Sequence, residues 1–285
     1  MISNQTKAGV LYIVATPIGN LDDLSPRAVS TLGKVDLVLA EDTRHSRKLL
    51  SHFGIKTSLF SLHEHNEKSK CDRLINRLEQ GKSMALISDA GTPLISDPGF
   101  PLVSQARRTG LEVVPLPGPC AAIAALSVSG IGADRFVFEG FLPAKPGRRR
   151  RRLEAIVGEE RTLIFYESVH RIEAMMADLE AVFGLQRQAV VARELTKMFE
   201  TVKAGTLAEL NQWLRASPQQ VRGEFVVVVE GVPQPEKTSL DGEDCRIMGL
   251  LLELLPPGKA AEAAAKIRNK PRKIFYQWAL EARDH

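Results

Sequence analysis

Apolar positions along the chain recur with two periods. Short β-rich runs lie at 10–15 (VLYIVA), 35–40 (VDLVLA), 57–62 (TSLFSL), 84–88 (MALIS) and 111–115 (LEVVP). Helical spacing of apolar residues fills the gaps near 26–33, 43–53, 66–80 and 98–109. Ser25-Pro26 and Asp97-Pro98 read as helix N-caps, each followed by a proline at the first helical position. Alternation of strands and helices with short connections predicts an α/β unit with a largely parallel sheet. The pattern resumes with a helix at 120–129, strands at 135–140, 161–166, 188–194, 198–204 and 224–231, and helices near 149–157, 168–182 and 206–215. Two consecutive strands at 188–204 predict a mixed second sheet. The segment 232–244 (VPQPEKTSLDGED) has a linker composition, and 245–283 reads as three short helices, with turns at Pro256-Pro257-Gly258 and Pro271.

Composition narrows this picture without changing it. The 285 residues are many for one domain; hydrophobic content is 44% and charged content 25%, an ordinary globular balance. The expected domains are 1–117, 118–235 and 236–285, the last a linker and small helical appendage. A net charge of +4 permits a polyanionic partner. Three scattered cysteines (Cys71, Cys120, Cys245) with no metal-binding spacing, and an N-terminal segment without a signal-type apolar run, predict a cytoplasmic protein. The uncharged run 113–133 is broken by Pro115, Pro117 and Pro119, which argues against a membrane span.

The chemistry sits in loops. SDAGTPLISDPG (88–99) follows the fourth β run and is far longer than a plain turn requires. Glycine lets a ligand approach the backbone and proline stiffens the loop, so it suits a polar ligand at the C-terminal end of a strand. PLPGPCAAIAAL (115–126) is a second such turn, and the two can form two walls of one cleft. FYESVHR (165–171) and ARELTKMFE (192–200) put charged residues on otherwise apolar strand ends, where burial is costly unless the group is solvated or functional. Other motifs fail: Gly81-Lys82-Ser83 lacks the rest of a phosphate-binding loop, the first loop Thr16–Asn20 lacks GxGxxG, and His63-Glu64-His65 reads as a polar loop rather than a metal site.

The ordered set TPIGNL, EDTRHS, SDAGTPLISDPG, PLPGPCAAIAAL, FYESVHR, ARELTK and GEFVVVVEG resembles the tetrapyrrole-methylase superfamily, over about residues 9–283. The resemblance implies two α/β domains with S-adenosylmethionine in the cleft between them, a small helical bundle at the C-terminal end, and a homodimer. It further implies 2′-O-ribose methylation of a cytidine in the decoding region of 16S ribosomal RNA, in the small ribosomal subunit. The G-D-P stretch of the superfamily matches Gly91-Thr92-Pro93, with Thr in place of Asp. The implied cofactor contacts are Pro17, Asp89, Ala90, Gly91, Thr92, Pro93, Ile95, Ser96, Pro117, Gly118, Cys120, Ala121, Phe165, Tyr166, Leu195 and Phe225. The first loop departs from the glycine-rich V-G-x-G-P-G-D of porphyrinoid methylases, which disfavours a porphyrinoid substrate, the alternative reading.

A ribose hydroxyl is a poor nucleophile, so the transfer needs alignment and an acceptor or charge stabiliser. Glu167 and Glu194, then Asp42, are the candidate acceptors, with Lys197 and Arg193 as candidate stabilisers. No metal is expected. Arg148, Arg149 and Arg150, within the run GRRRRR, together with Lys270, Arg272 and Lys273 of the basic tail, are the candidate RNA contacts. A non-enzymatic RNA-binding module would explain the basic segments but leave the twelve-residue loop without a purpose. A knotted RNA methyltransferase would carry its cofactor loops near the C-terminus rather than in the first half.

Overall fold

Strands form where the β-rich runs lie, and their burial explains their composition. In the computed structural model, which describes residues 8–216, 222–233 and 240–282, the first sheet contains β1 (Val10–Val14), β2 (Leu37–Ala40), β3 (Leu59–Ser61), β4 (Met84–Ile87) and β5 (Glu112–Leu116). All neighbours are parallel, in the order β3-β2-β4-β1-β5. Helices α1 (Pro26–Lys34), α2 (Thr43–His52), α3 (Glu64–Glu79) and α4 (Phe100–Arg108) connect them. One face packs on α1 and α2 through Leu32, Leu50, Val38 and Ile87, the other on α3 and α4 through Leu74, Leu78, Leu39 and Leu102. Strands covered on both faces lose alternation, which is why β2 (LVLA) and β4 (MALI) are buried throughout.

Ser25 caps α1, its hydroxyl accepting from the Ala28 N–H at 3.1 Å, as the sequence predicts. Two expectations change. Asp97-Pro98 does not open α4; Gly99 (φ +129°) holds the N-cap position and Pro101 lies in the first turn. Leu86 Cδ2 lies 2.6 Å from where a Cβ on this glycine would stand, so the position has no room for a side chain. His63 is not in a loop: it is the N-cap of α3, its N–H donating to Asn66 Oδ1 at 3.1 Å.

The second sheet has the order β6-β7-β10-β8-β9, from β6 (Phe136–Phe141), β7 (Thr162–Ser168), β8 (Gln188–Arg193), β9 (Thr201–Thr206) and β10 (Glu224–Val229). It is mixed: β6 and β7 are parallel and every other pair is antiparallel. Helices α6 (Pro146–Ile156), α7 (Ile172–Phe183) and α8 (Leu207–Ala216) bury one face around Phe165, Phe225 and Leu179. Helix α5 (Ala121–Ser129) covers the other, around Ile164, Val226 and Val228. Both sheets belong to one compact unit, Met1–Glu230.

The second unit, Gly231–His285, contains α9 (Gly242–Leu254), α10 (Pro257–Arg268) and α11 (Arg272–Glu281) around Met248, Ala260, Ala264, Phe275 and Ala279. Of the expected linker 232–244, residues 234–239 lie outside the described residues. Residues 242–244 are already the first turn of α9, started by a capping box between Asp241 and Asp244. No described helix is long and apolar enough to cross a membrane.

Candidate active site

Three loops leave the C-terminal ends of β4, β1 and β5, which are neighbours in the first sheet. The sequence suggests the loops after β4 and β5 as facing walls; the sheet inserts β1 between them, so the first loop stands in the middle. Thr16 pairs with Gly91 as an isolated antiparallel bridge, with N–O distances of 2.9 and 3.1 Å. The Ser88 hydroxyl donates to the Gly91 carbonyl at 2.8 Å, and Thr92 Oγ1 donates to the Pro119 carbonyl at 3.0 Å. The Tyr166 hydroxyl accepts from the Ala122 N–H at 3.0 Å, which ties the start of α5 to the second sheet. The first loop also reaches the ELTK turn: the Asn20 N–H donates to Thr196 Oγ1 at 3.1 Å, and the Lys197 side chain occupies the space a Cβ on Gly19 would take.

These contacts enclose a cleft of about 320 Å³ between the two sheets. Asp89, Ala90, Gly91, Thr92, Ile95, Ser96, Cys120, Ala121, Tyr166, Leu195 and Phe225 line it. Five of the expected cofactor contacts do not. Phe165 points to the opposite face of its sheet, into the core under α7. Gly118 packs on Ala15, Pro93 is buried inside its own loop, and Pro17 and Pro117 stand outside the lining. The walls add Ile18, Asp97, Phe141, Ser168, Glu224 and Val226, which the sequence does not mark as cofactor contacts, and Glu167, a candidate acceptor. The two cleft loops carry non-glycine residues in left-handed backbone: Leu94 (φ +71°) and Ser96 (φ +69°) in one, Glu194 (φ +50°) and Thr196 (φ +64°) in the other.

Asp97 lies on the cleft wall near Asp89. Burial, then the negative charges of Glu41 and Asp89, push its carboxyl up to about 7. Asp89 is held from outside, its Oδ1 accepting from the Asp42 N–H at 3.2 Å. A cleft that gathers carboxylates is built to receive positive charge.

The candidate catalytic residues are distributed differently. Glu167 pairs across the sheet with Phe225, and both residues border the cleft. The Glu167 side chain is 0% exposed, and its Oε1 accepts from Arg171 Nε and the Ser168 N–H, both at 2.8 Å. Oε1 is thus committed to the strand end, while Oε2 is buried with no hydrogen-bond partner among the described residues. Asp42 caps α2, accepting from the Arg44 N–H at 2.8 Å, and does not line the cleft. Glu194 accepts from Lys197 Nζ at 2.9 Å, and Lys197 also reaches Glu224 at 3.1 Å. Burial alone would raise the Glu194 carboxyl; the Lys197 ammonium and the Glu224 N–H outweigh it and hold the group below its ordinary value. Arg193 is buried, with Nη2 donating to the Phe199 carbonyl at 3.1 Å. Glu194, Lys197 and Arg193 thus shape the turn that carries Leu195 into the cleft.

The basic segments also divide. Arg149 is 4% exposed, its Nε 2.7 Å from Asp178 Oδ2, while Arg150 Nε lies 2.6 Å from Asp178 Oδ1. Arg149 is therefore a core ion pair and cannot meet RNA; Arg148 is exposed on the same helix. In the second unit, Lys270 pairs with Asp241 and Asp244, Arg268 with the same two, and Lys266 with Glu262. Arg272 and Lys273 are exposed at the start of α11, with no direct ion pair among the described residues.

The profile of Tetrapyrrole (Corrin/Porphyrin) Methylases matches residues 10–211. The chain belongs to this family. The "RsmI C-terminal HTH domain" profile matches residues 238–283. Two similar proteins bear the name ribosomal RNA small subunit methyltransferase I. One, from Pseudomonas aeruginosa, is 56% identical over 96% of this chain and 98% of its own length. The other, from Xylella fastidiosa, is 57% identical over 94% of this chain and 98% of its own. Among solved structures, uroporphyrin-III-C-methyltransferase from Thermus thermophilus covers 87% of this chain and 99% of its own at 20% identity and TM-score 0.54. Diphthine synthase covers 78% and 90% at 16% identity and TM-score 0.59. Those two likenesses show the fold. The chain is a methyltransferase of this family, and its cofactor is S-adenosylmethionine.

The residues present fit that cofactor. Its sulfonium and ammonium groups are cationic and match the carboxylates of Asp97 and Asp89; Ile18, Leu195 and Tyr166 offer apolar wall, and the Gly91 bridge keeps backbone close to the ligand. Gly91 stands at φ +86°, with Ile18 Cγ2 3.4 Å from where a Cβ would stand. Replacing it with Val strains the bridge by about 1–2 kcal/mol or more and fills ligand space. Calorimetric titration of Gly91→Val with S-adenosylmethionine is expected to show at least about a tenfold loss of affinity with the circular dichroism spectrum retained. Wild-type affinity would remove this loop from the cofactor site.

Proposed function

We propose that this methyltransferase acts on ribosomal RNA of the small subunit, transferring a methyl group to the ribose 2′-oxygen of a cytidine in the decoding region of 16S RNA. It works in the cytoplasm as a homodimer, with domains at 1–117, 118–235 and 236–285. The observation that carries this reading is the 56–57% identity, over nearly the whole of both chains, to proteins named ribosomal RNA small subunit methyltransferase I.

S-adenosylmethionine, when bound, supplies a methyl group on a positively charged sulfur, open to in-line attack by oxygen. The chain's part is chiefly alignment, which can account for much of the rate of a displacement. The Thr16–Gly91 bridge and the Thr92–Pro119 bond lock three loops into one wall. The Arg193, Glu194 and Lys197 contacts set the opposite wall and keep Leu195 against the ligand space. Asp97 and Asp89 hold positive charge, and the apolar lining excludes water from the reacting atoms.

RNA contact outside the cleft is assigned to the second unit. Changing Arg272 and Lys273 together to Gln is expected to weaken RNA binding and flatten its salt dependence by roughly two units, with cofactor affinity unchanged. Filter binding over a salt series measures this; an unaltered slope would take α11 out of the RNA interface. Lys270→Gln breaks the ion pairs to Asp241 and Asp244 instead, so it lowers the stability of the unit. The decisive experiment for the function is transfer of tritium from labelled S-adenosylmethionine to small ribosomal subunits, followed by nucleoside mapping. Label in 2′-O-methylcytidine supports the reading, and unlabelled subunits refute it.

A further inference from the structure

One irregularity in the second sheet faces the cleft. Strands β6 and β7 run in register from Phe136↔Thr162 to Phe138↔Ile164, then slip, so that Gly140 opposes Phe165 and Phe141 opposes Tyr166. Along a regular strand Phe141 would share the face of Val137, which packs into the core under α6 and α7. The bulge at Glu139-Gly140 reverses that alternation and puts Phe141 on the face of Phe138 and Tyr166. The turn requires Gly140 at φ +64°, wedged against the long β4 loop with Ser96 Oγ 3.2 Å from the Cβ position.

The consequence is a row of rings running out of the core. Phe138 meets Tyr166 edge-on at 4.9 Å between centroids, and Phe141 meets Tyr166 edge-on at 5.7 Å. Phe141 ends the row on the cleft wall, 53% exposed, more than any other large apolar side chain of the lining. A bulge leaves a residue unpaired in the ladder, so the strand gives up regular pairing to hold a phenyl ring half in water.

We propose that Phe141 is the stacking platform for the base of the nucleoside being methylated. This rests on the ribosomal RNA reading above. A ribose 2′-oxygen lies a few bonds from its base, so the base must enter the cleft mouth with it. Aromatic side chains accept the flat face of a base, and an unstacked base in RNA is commonly received in this way. The interior apolar walls, Ile18, Leu195 and Val226, are each less than a tenth exposed and suit the cofactor; the outermost ring is left for the incoming polymer.

Phe141→Ala, Phe141→Leu and Phe141→Tyr separate the possibilities, with S-adenosylmethionine affinity measured by calorimetry and KM and kcat measured on small ribosomal subunits. Stacking is worth roughly a five- to one-hundredfold change per base. Ala and Leu are expected to raise KM for the subunits within that range, Tyr to restore it, and all three to keep the wild-type cofactor affinity. A parallel loss of cofactor affinity in the Ala variant would make the ring a cofactor wall and overturn the proposal. Leu equal to wild type in KM would also overturn it, because shape-filling without a π face would suffice. Failure of the wild-type enzyme to label subunits overturns the RNA reading and this inference together, and that result is read before any variant is made.

Discussion

Asp97→Asn is expected to weaken S-adenosylmethionine binding by roughly ten- to one-hundredfold, the range for losing a hydrogen bond to a charged group, while stabilising the ligand-free protein at pH 8. The two effects share one cause. Burial and the charges of Glu41 and Asp89 raise the Asp97 carboxyl to about 7, well above its ordinary 3.8. Between about pH 4 and 7 the folded protein therefore holds a proton that the unfolded chain releases, and stability falls as the pH rises through that window. Asn cannot ionise and is spared that loss. Thermal melts at pH 5 and pH 8 check the sign: the variant gains at pH 8 and gains little at pH 5. Binding follows the opposite course. A cationic ligand favours the carboxylate, so wild-type affinity rises as the pH goes from 6 to 8, and in the variant this dependence flattens. Equal affinity and equal pH dependence in both proteins would show that Asp97 does not face the cofactor's positive charge.

A larger loss of stability is expected at the other end of the same unit. Asp178→Ala leaves the Arg149 guanidinium, 4% exposed, without its counter-charge in the core. Breaking one side of a buried pair costs about 3–5 kcal/mol, which for a unit of this size lowers the melting temperature by roughly 10 °C. Arg149→Met removes the charge while keeping most of the volume, and Asp178 retains Arg150. That variant is expected to lose far less stability and to bind RNA like the wild type. Chemical denaturation of the two variants decides this; equal losses would mean that packing, not uncompensated charge, sets the cost.

Arg149 also shows where reading the sequence stops. The run GRRRRR looks like a solvated face, yet Arg149 and Leu153 are one helical turn apart and both point inward. Helical phase could have singled out Arg149, but its partner Asp178 lies on another helix and is invisible to local pattern. The strand runs were legible because a parallel sheet covered on both faces demands continuous apolar residues, and Ser25-Pro26 was legible because capping is local. Strand order was not: nothing in the runs says that β1 separates β4 from β5, and so the scaffolding role of Thr16 to Asn20 was hidden. Asp97 was misread because the preceding turn depends on left-handed Leu94 and Ser96, a conformation that neither residue type announces. The Glu167–Arg171 pair was hidden because charge on a strand end says nothing about which groups it meets. Gly140, inside an otherwise β-rich run, was the one signal of the bulge that could have been weighed.

The four left-handed residues have a consequence for laboratory evolution. Leu94, Ser96, Glu194 and Thr196 stand in backbone that Asn or Gly adopts at lower energy. A screen that rewards heat tolerance alone will collect replacements at these positions, since each relieves strain on the order of 1 kcal/mol. Those replacements fall on the two loops that carry Ile95, Asp97 and Leu195 to the ligand space. Lineages selected for heat tolerance will accordingly drift toward proteins that fold better and methylate worse. Lineages selected for turnover will keep leucine, serine, glutamate and threonine where a designer of idealised loops would never put them.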